Sequence, residues 1–459
     1  ETEISHPEAS WRVLDAGIRL MNWIKSLTYL PLDKLTEVEK DRIHASMKKH
    51  ADYIRAHLQE KHLLSNWGVL AVSGLLSFVY FDTKELEMRE WANKTLMQQA
   101  ALQFTPKGIH WEQSPLYHHE VVMCYAYLYQ VAETLDNGDA DVWKKILRNP
   151  VQATYYLSNS KQELLSLNDS DVVDFSWVQS YYNLLGFDSV CTDYETGLIF
   201  AGNNFNKQHD VCFNSFFFDE VAGLAVVKQN DLYFTLFGGM HGSSHGHASQ
   251  GGISLEMNGV HFITHPGRYS YTECDERISF KSEYMQNSVL VKDGAYPSIE
   301  SSWGYHWVAE PIFMMAKKNE TTYFFECSWR VPLTNDGVKN TITRKIILDT
   351  EAKLVVIIDE DMFRNSVTQN FIVPTRKSSD IYSRFWTNGE MSTDRIYYSK
   401  RYNTQEEGNR LTIKNQSGIM LTCIASEPYS VAKENILRLD YQNEFRGIKL
   451  NCRTDHGEL

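Results

Sequence analysis

The chain changes its hydrophobic period once, and that change divides it. From residue 10 to about 160, apolar side chains recur three and four positions apart, the spacing that lines one face of an α-helix. The spacing predicts six amphipathic helices joined by short turns. In the second, Ile43, Met47, Ile54 and Leu58 follow a Thr36-x-x-Glu39 capping box. A third covers residues 64–80, and a fourth starts near Asp82-x-x-Glu85 and runs through Trp91, Leu96 and Met97. The fifth opens at Ser114-Pro115, with serine as N-cap and proline at the first helical position. The sixth carries Val142, Trp143, Ile146, Leu147 and Val151. Short connections make consecutive helices antiparallel neighbours, so helical hairpins are expected; a bundle, a solenoid and an α/α toroid all satisfy the pattern.

Near residue 212 the period falls to two. Residues 216–239 read as two strands around a polar turn, and ISLEM, VHFIT, NSVLV, KIILD, KLVVII, LTIKN and GIMLTCIA follow as further strands. Long helical patterns are nearly absent there. The expected architecture is therefore a helical domain over residues 1–212 and an antiparallel β-sandwich or stacked-sheet domain over 213–459. A length of 459 residues agrees with two to three domains.

Residues 240–271 carry the densest chemistry: MHGSSHGHASQGGISLEMNGVHFITHPGRYSY, with histidines at 241, 245, 247, 261 and 265. Asn258-Gly259 predicts a type I′ hairpin turn, because both residues tolerate φ > 0. His245 and His247 on one strand would project to the same side, and in simple register His261 and His265 would also share a face. Gathered imidazoles abstract protons, bind metals or contact anions; solvated loop histidines are the competing reading.

Composition narrows the function. A net charge of −13 argues against a general nucleic-acid or membrane-surface role, although a local basic cleft remains compatible with it. No apolar run approaches the roughly 20 residues needed to span a bilayer. The 25 Tyr and 11 Trp suit sugar faces as well as cores. Seven cysteines, at 124, 191, 212, 274, 327, 423 and 452, form no C-x-x-C and read as buried thiols. The chain begins at Glu1, which fits either a removed leader or a start inside a longer protein.

Three segments combine into a candidate active site: Leu64-Ser65-Asn66-Trp67-Gly68, His110 through His119, and the histidine hairpin. Asn66 alone reads as a helix cap and Tyr117 alone as a core aromatic. Counted from Ser114, however, Tyr117 is the third helical residue, where the positive end of the helix favours a phenolate by roughly 0.3–1 kcal/mol. His110, His118 and His119 would add to this if protonated.

With these segments in view, the chain resembles the heparinase II/III superfamily of polysaccharide lyases, and heparinase III most closely within it. Asn66 matches the asparagine that opens a toroid helix. Glu112-Gln113-Ser114-Pro115-Leu116-Tyr117-His118 matches an acidic E-[LQ]-x-P-x-Y-H segment, and His245 through Gly267 matches the Gly-rich histidine segment and its turn. The resemblance implies an α/α toroid followed by antiparallel sheets, with a cleft between ring and sheets. Members carry more toroid before the Trp11-Arg12 segment, so an incomplete ring is expected.

It also implies β-elimination on a uronic-acid polysaccharide, with heparan sulfate favoured. Asn66 would neutralise the uronate carboxylate, Tyr117 would protonate the departing oxygen, and His245 would take the C5 proton in anti elimination. Trp67, Glu112, Gln113, His118, Arg268 and Tyr269 are expected at the substrate; for Arg268, Tyr269 and Tyr271, ordinary strand-end packing is the alternative. Trp67 stands where heparinase III has a histidine. Related lyases hold a structural zinc at positions that read His247, His265 and Gln286 here, so a structural divalent metal, zinc or manganese, is an open expectation. No organic cofactor is expected. A periplasmic or secreted location follows from the resemblance, with a cytoplasmic one left open. The rival readings are a hyaluronan, chondroitin or alginate lyase, a glycoside hydrolase, and a non-catalytic glycan-binding protein. A hydrolase would need two opposed carboxylates, and Glu112 is the only acid nominated.

Overall fold

The computed structural model describes residues 10–426, apart from 28–29, 31, 83, 203–209, 230, 295–298, 334–337 and 376. The chain forms two units. One comprises Glu1–Glu112, Leu116–Tyr155 and Phe175–Val211; the other comprises Gln113–Pro115, Tyr156–Asp174 and Cys212–Leu459. Two segments that precede residue 212 thus belong to the second unit.

The first unit is helical: α1 (Val13–Leu27), α2 (Glu37–His57), α3 (Asn66–Phe81), α4 (Leu86–Gln103), α5 (Pro115–Thr134), α6 (Ala140–Tyr156), α7 (Ser176–Leu184) and α8 (Tyr194–Ala201). All six helices expected from the periodicity form. At the start of α2, Glu39 N donates to Thr36 Oγ1 at 3.3 Å while Thr36 N donates to the Glu39 carboxylate at 2.8 Å, completing the capping box. Helix α3 is apolar on nearly every side and buried along almost its whole length, as a central helix must be. Its contact with α1 is built on glycine: a Cβ on Gly74 would lie 2.2 Å from the Gly17 carbonyl oxygen. No helix among the described residues is long and apolar enough to cross a membrane.

The second unit is antiparallel sheet. Its strands are β1 (Phe216–Asp219), β2 (Leu224–Gln229), β3 (Leu232–Phe237), β4 (Gly252–Met257), β5 (Val260–Ile263), β6 (Val289–Val291), β7 (Ile299–Ser301), β8 (Gly304–Tyr305), β9 (Glu310–Asn319), β10 (Thr322–Pro332), β11 (Lys339–Asp349), β12 (Leu354–Asp361), β13 (Val367–Val373), β14 (Phe385–Thr387), β15 (Glu390–Tyr398), β16 (Glu406–Asn415) and β17 (Ile419–Ala425). Sheets run β1-β2-β3-β4-β5, β14-β17-β12-β11-β10-β9 and β15-β16-β13-β6, beside the β7-β8 hairpin. One apolar core draws Phe234 and Leu255 from the first sheet, Phe325 and Ile346 from the second, and Phe371 and Leu411 from the third. Two short helices, α9 (Asp275–Lys281) and α10 (Ser378–Tyr382), interrupt the strands.

The Asn258-Gly259 turn forms as expected, with φ of 52° and 70°. The strand expected for His245 and His247 does not. Residues 238–251 are a loop, and the period-two run begins only at Gly252. A register shift at Leu255/Glu256 and the end of β5 at Ile263 also remove the expected shared face of His261 and His265. Among the described cysteines, 124, 327 and 423 are buried but Cys212 is exposed; Cys452 lies outside the described residues.

Candidate active site

In the helical unit, Ser65 caps α3, accepting from Trp67 N at 3.2 Å. The cap alternative for Asn66 therefore fails, and Asn66 becomes the first helical residue. Its buried Nδ2 donates to the Glu112 carboxylate at 3.0 and 3.2 Å, and its backbone N donates to the same group at 3.2 Å. Glu112 thus fixes Asn66 at both backbone and side chain. Trp67 is 36% exposed, with the Arg12 guanidinium over its ring at 5.2 Å. Tyr117 lies in the first turn of α5, the third residue from Pro115, and is half-buried.

His118 departs from expectation. Its buried Nε2 meets Pro150 O and Thr154 Oγ1, both at 3.1 Å, so it packs against α6. Burial pushes its imidazole down to about 4 and that of His119 to about 3, so neither brings positive charge to Tyr117 at neutral pH.

In the sheet unit the histidine loop is organised by a residue the sequence did not single out. Asp169, fully buried, accepts from His245 Nδ1 at 3.1 Å and His247 Nε2 at 2.8 Å. Arg277 on α9 grips the same carboxylate at 2.5 and 2.8 Å. Its guanidinium and the two imidazoles hold the Asp169 carboxyl well below the usual range against the opposing cost of burial. An ionised carboxylate only accepts, so both imidazoles present N–H to it. His245 therefore presents Nδ1–H to Asp169, which fixes the orientation of its ring. The neighbouring Asn168, at a φ of 56°, accepts from His247 N and Ser249 Oγ and donates to Gln113 O at 2.7 Å. Gln113 spends its own amide on Ala222 O, and Ser114 Oγ donates to Asp169 O. Gln113 is thus a clamp on the histidine loop in place of the expected substrate contact.

The other histidines separate. His261 pairs with Glu163 and Glu256 at 3.6 and 3.5 Å and draws the Glu163 carboxyl down to about 2. His241 packs edge-on against Tyr305. His265 is buried, which pushes its imidazole down to about 3, and neither ring nitrogen has a hydrogen-bond partner among the described residues. His247 Nδ1 and Gln286 Oε1 are buried and unpartnered in the same way, while Gln286 Nε2 is held by Phe280 O. No group of three or more His, Cys, Asp or Glu that could hold a metal occurs among the described residues. Two neutral imidazoles and an amide oxygen with open lone pairs nevertheless have donor chemistry that fits a divalent ion.

Arg268, expected at the substrate with strand-end packing as the alternative, makes two parallel hydrogen bonds to the Asp171 carboxylate at 2.6 and 2.8 Å. Its guanidinium lies over Tyr271 and Tyr402 at 5.2 and 5.0 Å. Tyr269, at a φ of 55°, packs edge-on against Phe280. Both support the loop from within it. Asp169, Asp171 and Arg277 were missed because nothing local marks them: Asn168-Asp169-Ser170-Asp171 reads as a polar connector, and its partners lie 76 to 108 residues away. The one available signal is that this acidic tetrad sits between the apolar runs LLSL and VV.

The heparinase II/III N-terminus family model matches residues 1–188, and the heparinase II/III-like C-terminal model matches residues 214–444. A search of curated proteins finds no match. Among solved structures, heparinase III is similar with a TM-score of 0.71 at 14% identity, over 94% of this chain and 72% of that one. A mutant of the heparan sulfate lyase HepC from Pedobacter heparinus is similar with a TM-score of 0.69 at 14% identity, over 93% and 70%. These neighbours share the fold, a helical toroid followed by antiparallel sheets. The two family models together extend over most of the sequence, and on that ground the chain belongs to the heparinase II/III family of polysaccharide lyases.

Proposed function

We propose that the enzyme cleaves a uronic-acid polysaccharide by β-elimination, with the glycosaminoglycan heparan sulfate as the leading substrate and hyaluronan, chondroitin or alginate as the next readings. Removing the C5 proton builds negative charge beside the uronate carboxylate, so hydrogen bonding there lowers the barrier. Asn66 supplies that bond; its amide carries two hydrogens, and Glu112 orients it. The C5 proton passes to His245 Nε2 when it lies on the face opposite the leaving group, as in iduronate. In glucuronate Tyr117 takes it. The C4–O bond breaks as the C4–C5 double bond forms, and Tyr117 delivers a proton to the departing oxygen. The observation that carries this reading is the Asp169–His245 bond, which holds the ring proposed as base in one orientation.

A divalent ion, zinc or manganese, would be held by His247, His265 and Gln286, and when bound would supply rigidity to the histidine loop. Asp169 on His247 Nε2 is the kind of outer partner that fixes a ligating imidazole. A periplasmic or secreted location accords with a polymeric substrate.

The test is a panel of heparan sulfate, hyaluronan, chondroitin sulfate and alginate, followed by ultraviolet absorbance of the unsaturated product. A rise with heparan sulfate above the others supports the reading. A rise with another polymer alone replaces the substrate, and no rise with any refutes the reaction.

A further inference from the structure

Three aromatic rings from three separate loops of the sheet unit meet beside His245. Trp303 occupies the turn of the β7-β8 hairpin, Tyr402 the turn between β15 and β16, and Tyr271 the segment before α9. Tyr271 stacks on Trp303 with ring centres 4.6 Å apart and planes 28° apart, and Tyr402 lies 5.6 Å from Tyr271. The His245 ring is 5.8 Å from Trp303 and 6.0 Å from Tyr271. Trp303 is 45% exposed and Tyr402 is 40% exposed.

A single exposed aromatic is ordinary. Here the exposed rings are braced from below by ion pairs. Arg268, bound to Asp171, lies under Tyr271 and Tyr402 and donates to Tyr271 OH at 2.9 Å. Arg277, bound to Asp169, lies at 5.2 Å from the Tyr271 ring and donates to Ser302 O, next to Trp303. The two loops that bear Tyr271 and Tyr402 are also clasped. Asn403 N donates to Tyr269 O at 2.7 Å, and a Cβ on Gly267, at a φ of 73°, would lie 1.9 Å from Ser399 O. The rings are therefore held in place before any ligand arrives, which limits the ordering cost of binding.

We propose that Trp303, Tyr271 and Tyr402 form a sugar-stacking subsite that holds a pyranose ring next to the uronate being cleaved. The proposal rests on the lyase reading above. A pyranose presents apolar C–H faces and a polar rim, so a flat ring with open solvent on one side complements it. The contact with His245 sets which sugar is held: the uronate must reach Nε2, so the ring on Trp303 belongs to its neighbour in the chain. Substrate contact here adds binding energy without touching the reacting atoms.

The experiment compares wild type with Trp303→Ala, Tyr402→Ala and Trp303→Phe, using heparan sulfate oligosaccharides. Affinity is read by calorimetry and turnover by ultraviolet absorbance. Trp303→Ala should weaken affinity and raise KM about tenfold, the size of one lost ring contact, with kcat nearly unchanged. Trp303→Phe should recover most of the loss, and Tyr402→Ala should show a smaller one. Unchanged affinity and KM in Trp303→Ala overturn the subsite even where turnover is normal. Wild type that binds the oligosaccharides and loses affinity in Trp303→Ala, yet yields no unsaturated product, keeps the subsite and removes the elimination. Wild type that does not bind them overturns the subsite.

Discussion

His245 Nδ1 donates to Asp169 Oδ2 at 3.1 Å, so the assigned base is oriented by a carboxylate that is itself fully buried. The same carboxylate serves His247 and is neutralised by Arg277. One aspartate therefore joins the proposed proton acceptor, a candidate metal ligand and the brace under Tyr271.

Asp169→Asn preserves shape but removes the charge that faces Arg277 and that holds the proton on Nδ1. Turnover should fall by about 10²–10⁴ with KM changed far less. Urea denaturation should show a loss of about 3–5 kcal/mol, the usual cost of breaking a buried ion pair. A variant of full activity and full stability would separate Asp169 from both roles.

Tyr117→Phe removes only a phenolic oxygen at the start of α5, so circular dichroism should be unchanged. Elimination should fall by about 10²–10⁴, the contribution of a positioned acid, on every substrate the enzyme accepts. Near wild-type rates in the folded variant would take Tyr117 out of the reaction.

Much of this was legible because it is local. The Thr36/Glu39 box, the Ser114-Pro115 helix start and the Asn258-Gly259 turn each depend on a few adjacent residues, and each forms where expected. The histidine strand was misread because Gly-rich sequence keeps alternation without pairing: His245 and His247 still share a partner, but through a loop folded onto Asp169. The position of Arg268 just after the histidine hairpin leaves substrate contact and strand-end packing both open, because its partner Asp171 lies 97 residues away. Long-range pairing of this kind leaves no periodic trace.

Elemental analysis of freshly purified protein should find about one divalent transition metal per chain if His247, His265 and Gln286 bind an ion. A chelator should then lower Tm, since an ion bound only to the native state stabilises it. Protein without metal, melting identically in chelator, would leave three buried polar groups with no ligand.

His118 predicts a pH effect on stability. Burial holds its imidazole at about 4, below the roughly 6.5 of a free histidine. The unfolded chain protonates first on acidification, so the contribution of His118 is complete above about pH 6.5 and is lost as the pH falls toward 4. His118→Gln lacks that proton. The stability advantage of wild type over this variant, read from urea midpoints, should shrink across that interval; a constant difference would mean that His118 does not titrate there.

The reaction class is tested most directly by the mass of the products released from heparan sulfate. Elimination breaks the C4–O bond without adding water, so the new non-reducing end should be lighter by one water than a hydrolytic end and should carry the C4–C5 double bond. Unsaturated oligosaccharides of that mass, absent with Tyr117→Phe, are the predicted result. Saturated products that have gained water would contradict the account.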